Sequence, residues 1–351
     1  DKTDLEAKDD EGMTALAHAA MNGHIKCAQL LIAAKAVVDA RDECLRTPLM
    51  SAALGGHTDC VQLLVDEKAD IAARSAMGST ALIFAAFSGE RTCVERLIHL
   101  NADINVKDKC ELDALMNAVQ ETKTDCVQLL IDAKADVKAA DENGLTGLIM
   151  AVENESSECL QLLLAAKADV DAKDLTGCTA LIAAAANGHN DCAQLLVNAK
   201  ANINLGDNDN WTALMWAARE SQTESLRWLL SAKADVDARG AAGVTALHLA
   251  ASSGRAASVY SLVSSRADIE ARDRLHLTAL MSAAAEGRSE CVQLLVNAKA
   301  DIHVVDDEGN TALLWAAQKM EMNDDTTDDE DAVDDEDAVD DEDAVDDEDA
   351  V

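Results

Sequence analysis

Thr14, Thr47, Thr80, Thr146, Thr179, Thr212, Thr245, Thr278 and Thr311 stand 33 residues, or a multiple of 33, apart. Only Asp113 interrupts the column. Two residues on, Leu16, Leu49, Leu82, Leu115, Leu148, Leu181, Leu214, Leu247, Leu280 and Leu313 form a second column with no break. A fixed period of this length marks a stacked repeat architecture, in which each unit completes its apolar core against its neighbours. The period therefore overrides the two or three domains that 351 residues would otherwise suggest. One continuous solenoid followed by a tail is expected.

With aromatics at 2% of the chain, the core must be built from Ala, Leu, Ile, Val, Met and Cys, which suits closely packed short helices. Charge is unevenly placed. From Glu321 to Val351 stand 19 acids and no base, so the net −37 of the whole leaves −18 on residues 1–320. Both parts are acidic, which argues against nucleic acid or an anionic membrane surface as partner. No apolar run approaches the roughly 18–20 residues that span a bilayer. The cysteines include a register of their own, Cys27, Cys60, Cys93, Cys126, Cys159, Cys192 and Cys291, with Ser225 and Ser258 in the gaps. Stacked helices lie about 8–10 Å apart, beyond the roughly 7 Å between Cα atoms that a disulfide spans. The ladder thus reads as small buried apolar residues. A reducing setting, cytoplasmic or nuclear, is the expectation. No CxxC pair or other metal-binding spacing is present, and no cofactor or metal is expected.

Residues 42–74 show what one unit does. Asp42 to Arg46 read as a turn, Thr47 as a helix cap, and Pro48 as a first helical residue. Leu49, Ala52 and Ala53 share one helical face. Gly55 and Gly56 end that helix, and a second begins near His57 and Thr58, with Cys60, Leu63 and Leu64 on its apolar side. Lys68 sits in the last turn, where positive charge complements the helix dipole. An extended return leads to the next turn. The fold class is therefore an all-α repeat solenoid of helix-turn-helix units joined by hairpin or extended loops.

The pattern resembles the ankyrin repeat. The signature segments are DEGMTALAHAAMNGH at 10–24, DECLRTPLMSAALGGH at 42–57, and AAGVTALHLAASSG at 241–254, closed by runs such as LLVDEKADI at 63–71. The resemblance divides the chain into residues 1–8, the end of a truncated preceding repeat; 9–305, nine full repeats; 306–320, a half repeat; and 321–351, a disordered acidic tail ending in four copies of DDEDAV. Both ends look cut, as in a segment of a longer protein.

Three departures from the family pattern matter. Proline follows the cap only at Pro48. The glycine that should follow the second helix is Lys2, Lys35, Lys68, Asn101, Lys134, Lys167, Lys200, Lys233, Arg266 or Lys299. Either the left-handed backbone is kept there, at about 1 kcal/mol per residue, or the loop has relaxed. Repeat 4 carries Asp113 for Thr and Glu121-Thr122-Lys123 for Gly-His, and repeat 5 carries Glu155-Ser156-Ser157, so these two repeats are the expected weak point.

Arrays of this family, by the resemblance, bind proteins through hairpin tips and first helices. The matching positions for protein binding are Met77, Phe87, Leu112, Leu145, Trp211, Arg219 and Arg239, with Met13, Val244, Leu277 and Glu220 alongside. Trp211 either anchors a partner or packs on the neighbouring tip. Trp216, Trp315, Phe84 and Trp228 are assigned to the core. A basic column, Arg41, Arg74, Lys107, Lys173, Arg239 and Arg272, either grips an acidic ligand or pairs locally with the Asp that opens the next repeat. No constellation for catalysis is present. The function expected is a non-catalytic protein–protein interaction scaffold, a monomeric array with a protein partner, no nucleic acid and no membrane insertion. Two alternatives stay open: a regulatory segment of a larger enzyme or channel, and binding of basic proteins by the acidic tail.

Overall fold

The computed structural model describes residues 4–324, with side chains described to Gln318. Most of the acidic tail expected at 321–351, and Lys2 of the glycine-substituting column, lie outside the described residues. First helices are α1 (Ala15–Met21), α3 (Pro48–Leu54), α5 (Ala81–Ser88), α7 (Ala114–Gln120), α9 (Gly147–Glu153), α11 (Ala180–Asn187), α13 (Ala213–Arg219), α15 (Ala246–Ser252) and α17 (Ala279–Ala285). Second helices are α2 (Ile25–Ala33), α4 (Thr58–Asp66), α6 (Arg91–His99), α8 (Thr124–Asp132), α10 (Ser157–Ala165), α12 (Asn190–Asn198), α14 (Thr223–Ser231), α16 (Ala256–Ser264) and α18 (Ser289–Asn297). The last helix, α19 (Ala312–Asp324), runs four residues past the expected end of the half repeat at 320. First helices stack on first helices and second on second, α1 on α3 on α5 and so on. The hairpins contribute only isolated antiparallel bridges among the described residues, such as Lys8 with Thr14 and Ala140 with Thr146.

The threonine column is a column of helix caps. Thr47 Oγ1 accepts the Met50 amide at 3.4 Å, and Thr179 Oγ1 that of Ile182 at 3.3 Å. Asp113 keeps the same bond, to Met116 N at 2.9 Å, so the column is chemically continuous. Burial pushes the Asp113 carboxyl up, against the lowering pull of the capped amides. The leucine column is the core: Leu16 through Leu280 are at most 2% exposed. The cysteine ladder from Cys60 to Cys192, with Cys291, is buried, and all ten cysteines are free. Several accept or donate weakly to the preceding repeat, as in Thr58 Oγ1 with Cys93 Sγ at 3.4 Å. Ser225 replaces that contact with a bond to Asn190 Oδ1 at 2.7 Å, whereas the Ser258 hydroxyl is buried with no partner.

The residue after each second helix keeps the left-handed backbone although it is not glycine: φ is 78° at Lys35, 70° at Lys134 and 68° at Lys299. Two hydrogen bonds hold it there. Lys134 N donates to Ile131 O at 2.9 Å and Ala135 N to Leu130 O at 2.9 Å, which satisfies two carbonyls that a helix end otherwise leaves orphaned. The loop between the paired helices has the same requirement. Gly23, Gly56, Gly89, Gly188, Gly254 and Gly287 meet it without cost, but Thr122 (φ 54°), Glu155 (φ 52°) and Ser221 (φ 65°) do not. Repeats 4 and 5 thus carry strain where the sequence suggests it, and repeat 7 carries it too. Thr122 is β-branched and suffers most. Thr122→Gly is expected to stabilise the chain by about 1 kcal/mol, the relieved strain exceeding the extra entropy of glycine. A higher midpoint of urea unfolding would register it, and an unchanged or lower one would contradict it.

His248, 3% exposed in α15, ties repeat 8 to repeat 9. Its Nδ1 lies 2.9 Å from Thr245 Oγ1, and its Nε2 lies 3.0 Å from Leu277 O of the next hairpin. Because the carbonyl can only accept, Nε2 carries the proton and Nδ1 accepts from the threonine. Burial holds the imidazole below its ordinary 6.5, outweighing the favourable Leu277 carbonyl and Asp273; Arg239 acts in the same direction as burial. The unfolded chain therefore binds this proton first, and stability falls as pH drops through about 6.5. His248→Met, with the residue that repeats 2, 4, 7 and 9 carry there, should flatten the loss between pH 7.5 and 5.5 in urea titrations. An unchanged slope would contradict this assignment.

Candidate functional site

The residue before each cap lies half-buried beside the hairpin: Leu112, Leu145, Cys178, Trp211, Val244 and Leu277, one per repeat from repeat 4 to repeat 9. Stacking makes them a strip. Beyond it, Met77 (55% exposed), Leu175 (71%) and Leu275 (65%) project from the hairpin tips, and Phe87 (45%) from the end of α5. The fold does not collect these residues into one pocket. It spaces them along a surface.

The densest point is in repeat 7. Trp211, on the hairpin, and Trp216, on α13, approach with ring centroids 5.2 Å apart and planes tilted by 57°. The Arg219 guanidinium carbon lies 5.3 Å from each centroid, within cation–π range of both. Asp207 organises the group. Its Oδ2 accepts the Trp216 indole N–H at 2.9 Å, while Oδ1 accepts the backbone amides of Trp211 at 2.8 Å and Asp209 at 3.0 Å. Arg219 also pairs with Glu220 at 3.5 Å, and its carbonyl accepts from Arg255 Nε at 3.1 Å. Trp211 in addition lies over Gly240 of the next hairpin, where an added Cβ would come within 2.8 Å of its ring. Both readings of Trp211 therefore have a physical basis: it packs on the neighbouring tip and stays half open.

Trp216, Phe84 and Trp315 are half-buried rather than enclosed in the core. Their register is buried at Ser51, Asn117, Met150, Ala183 and Leu249, none of which carries a ring. A large ring overfills the slot and protrudes. Trp228 packs on the core and is likewise half-buried. The signal for Trp216 was available in the sequence. It follows the opening Asp207 by nine residues, as Trp315 follows Asp306 and His18 follows Asp9, and all three make the same bond to that carboxylate. Leu175, Leu275 and Cys178 went unmarked because single apolar residues in a hairpin carry no pattern.

Between the Phe87 and Trp211 regions the face is acidic. Desolvation first, then Asp174 and Asp141, raise the Glu153 carboxyl. Burial, followed by Asp174, Asp207 and Glu153, pushes the Cys178 thiol up to about 12, which leaves it unreactive at neutral pH. Among the described residues no group of three or more His, Cys, Asp or Glu side chains is placed to hold a metal ion.

The basic column has an engagement that neither sequence reading contained. Five of the six cations reach forward to the backbone carbonyl of the residue 33 positions on: Arg41 to Arg74 O at 2.9 Å, Arg74 to Lys107 O at 3.1 Å, Lys107 to Ala140 O at 2.7 Å, Lys173 to Gly206 O at 2.5 Å and Arg239 to Arg272 O at 2.6 Å. The opening aspartates are occupied elsewhere, accepting amides of their own hairpins, as Asp108 Oδ1 does from Cys110 at 2.9 Å and Leu112 at 3.0 Å.

Removing Arg219 should uncover two indole faces without disturbing the helices. Arg219→Ala is expected to leave far-ultraviolet circular dichroism unchanged and to increase acrylamide quenching of tryptophan fluorescence. Unchanged quenching would mean that the guanidinium does not cover the rings.

A family model described as "Ankyrin repeats (3 copies)" matches residues 2–75, 36–108, 82–174, 148–240 and 247–326. No curated protein sequence matches the chain. Among solved structures, the ankyrin repeat domain of Bcl-3, described as a unique member of the IkappaB protein family, is 30% identical with a TM-score of 0.55; the match covers 62% of this chain and 100% of that one. The human ASB11 ankyrin repeat domain is 24% identical with a TM-score of 0.57, covering 64% and 99% respectively, a likeness that concerns the fold alone.

Proposed function

This chain belongs to the ankyrin repeat family, and from that premise we propose that it is a non-catalytic scaffold that binds a partner protein through its hairpin tips and first helices. Repeats of this family are general protein–protein interaction modules. The observation that carries the proposal is the assembled group of Trp211, Trp216 and Arg219, held by Asp207 before any partner arrives. Trp and Arg are enriched in binding hot spots. A group already fixed by packing and hydrogen bonds loses less entropy on binding. Met77, Phe87, Leu112 and Leu145 extend the surface toward the N-terminal repeats.

The basic column is a weaker part of this reading. A partner that used Arg41, Arg74, Lys107, Lys173, Arg239 or Arg272 would compete with backbone carbonyls that five of these six already bond. Among the described residues no helix is long and apolar enough to cross a membrane. Free, buried thiols suit a reducing cytoplasmic or nuclear setting.

The test is a pull-down with the full chain beside a Trp211→Ala, Trp216→Ala, Arg219→Ala variant of equal helicity. A protein retained by the parent and lost by the variant is the expected outcome. Equal recovery on both would remove this face from the proposal.

A further inference from the structure

Every junction between repeats can be compared with the others, because the same atoms recur 33 residues on. Three kinds of hydrogen bond recur across junctions outside the helices. In the first, a hairpin amide donates to the preceding hairpin's carbonyl: Lys109 N to Met77 O at 2.8 Å between repeats 3 and 4, and Leu175 N to Asn143 O at 2.9 Å between repeats 5 and 6. In the second, a side-chain oxygen on the return accepts the amide 31 residues on: Asn105 from Asp136 at 3.0 Å, and Asp171 from Asn202 at 2.8 Å. The third is the basic reach to the next carbonyl, from Lys107 and from Lys173.

The junction between repeats 4 and 5 has none of the three. No bond joins Glu142 N to Cys110 O. Lys138 stands where an oxygen-bearing acceptor is needed, and Ala140 where a cation is needed. Among repeats 1 to 9, the other junctions lack at most one of these bonds, as at Ala72 or Gly206, and keep the other two. Among the described residues, repeats 4 and 5 are joined instead by Thr124 Oγ1 with Cys159 Sγ at 3.9 Å, and by the Ala140–Thr146 bridge that other hairpins share. The apolar contact is thinned at the same place. Gly147 opens α9 where neighbouring first helices have Ala114 and Ala180. A methyl group there would meet Val119 of repeat 4 at 3.9 Å and Leu163 of repeat 5 at 3.7 Å, ordinary contact distances that the glycine leaves unused.

We infer that the array is two cooperative blocks, residues up to Ala140 and residues from Asp141 onward, joined by a weak seam at which it opens before either block unfolds. In a solenoid, stability is a sum of repeat and neighbour contributions, so a deficient neighbour contact divides cooperativity at that point. The seam also divides the proposed binding face, with Met77, Phe87 and Leu112 on one block and Leu145, Trp211 and Arg219 on the other. The inference does not depend on any partner being bound.

The chain carries its own reporters. All four tryptophans, Trp211, Trp216, Trp228 and Trp315, lie in the second block. Tryptophan fluorescence therefore follows that block alone, whereas far-ultraviolet circular dichroism follows both. In urea, the full-length parent is expected to show fluorescence and dichroism transitions that do not coincide. Hydrogen exchange at intermediate urea should place a step in protection between Ala140 and Asp141. The repaired chain, Lys138→Asp, Ala140→Lys and Gly147→Ala, uses only residue types found at equivalent positions in other repeats. It is expected to bring the two transitions together and remove the step. As a converse, Asp171→Ala with Lys173→Ala should create a second step between repeats 5 and 6. Coincident transitions in the parent would overturn the inference. So would a step that persists unchanged in the repaired chain.

Discussion

The leucine two residues inside each first helix is hidden by the repeats stacked around it. Leu16 through Leu280 are at most 2% exposed, while Leu313, in the same register of the last described unit, is 78% exposed. The side chain and its place in the helix are the same in these cases; what differs is that no further repeat among the described residues stacks on Leu313. At about 25 cal/mol per Å² of apolar surface, this neighbour-supplied burial is the dominant gain in each unit. The caps, the left-handed turns and the cross-repeat bonds fix the angle and offset at which it can occur. That is why a helix of seven residues, too short to persist alone in water, recurs here along the whole array.

The architecture could be read from the sequence because its causes are local and repeated. A threonine before an apolar face, glycine between two helical patterns and a constant period each point to the same unit. What could not be read depended on geometry between units. The lysines after the second helices are silent about whether the turn stays left-handed, because the decision rests on two backbone bonds, such as those of Lys134 and Ala135. The basic column has a legible register, but its acceptors are main-chain carbonyls one repeat away, which no inventory of side chains contains. Trp216 was assigned inward from its place after the leucine column, when ring size pushes it half outward over Asp207. Asp113 looked like a break, yet a carboxylate caps a helix as a hydroxyl does.

Much of the acidity follows from hairpin chemistry. The Asp that opens most repeats accepts amides two and four residues on, as Asp141 does from Asn143 and Leu145. A second carboxylate in many returns accepts the amide two residues on, as Asp268 does from Glu270. Multiplying these turns along the array multiplies negative charge, whatever the array binds. The −18 carried by residues 1–320 is thus largely a by-product of building turns. A charged surface of this origin says less about a partner than the few residues, Trp211 and Arg219 above all, that no turn requires.

The cross-repeat bonds have a consequence for how such a chain can change length. Each joins atoms offset by a near-constant number of residues, so cutting the chain at two equivalent points and splicing the ends preserves every partner's position. Excision of residues 108–140 would set repeat 3 directly against repeat 5. Lys107 would then face the carbonyl of Lys173, Asn105 the amide of Asp169, and the Met77 carbonyl the amide of Glu142. All three bonds missing from the present seam would have their donors and acceptors back in register. Shortening by one whole unit is, for this array, chemically milder than the loss of a single residue, which would put every later donor out of step with its acceptor.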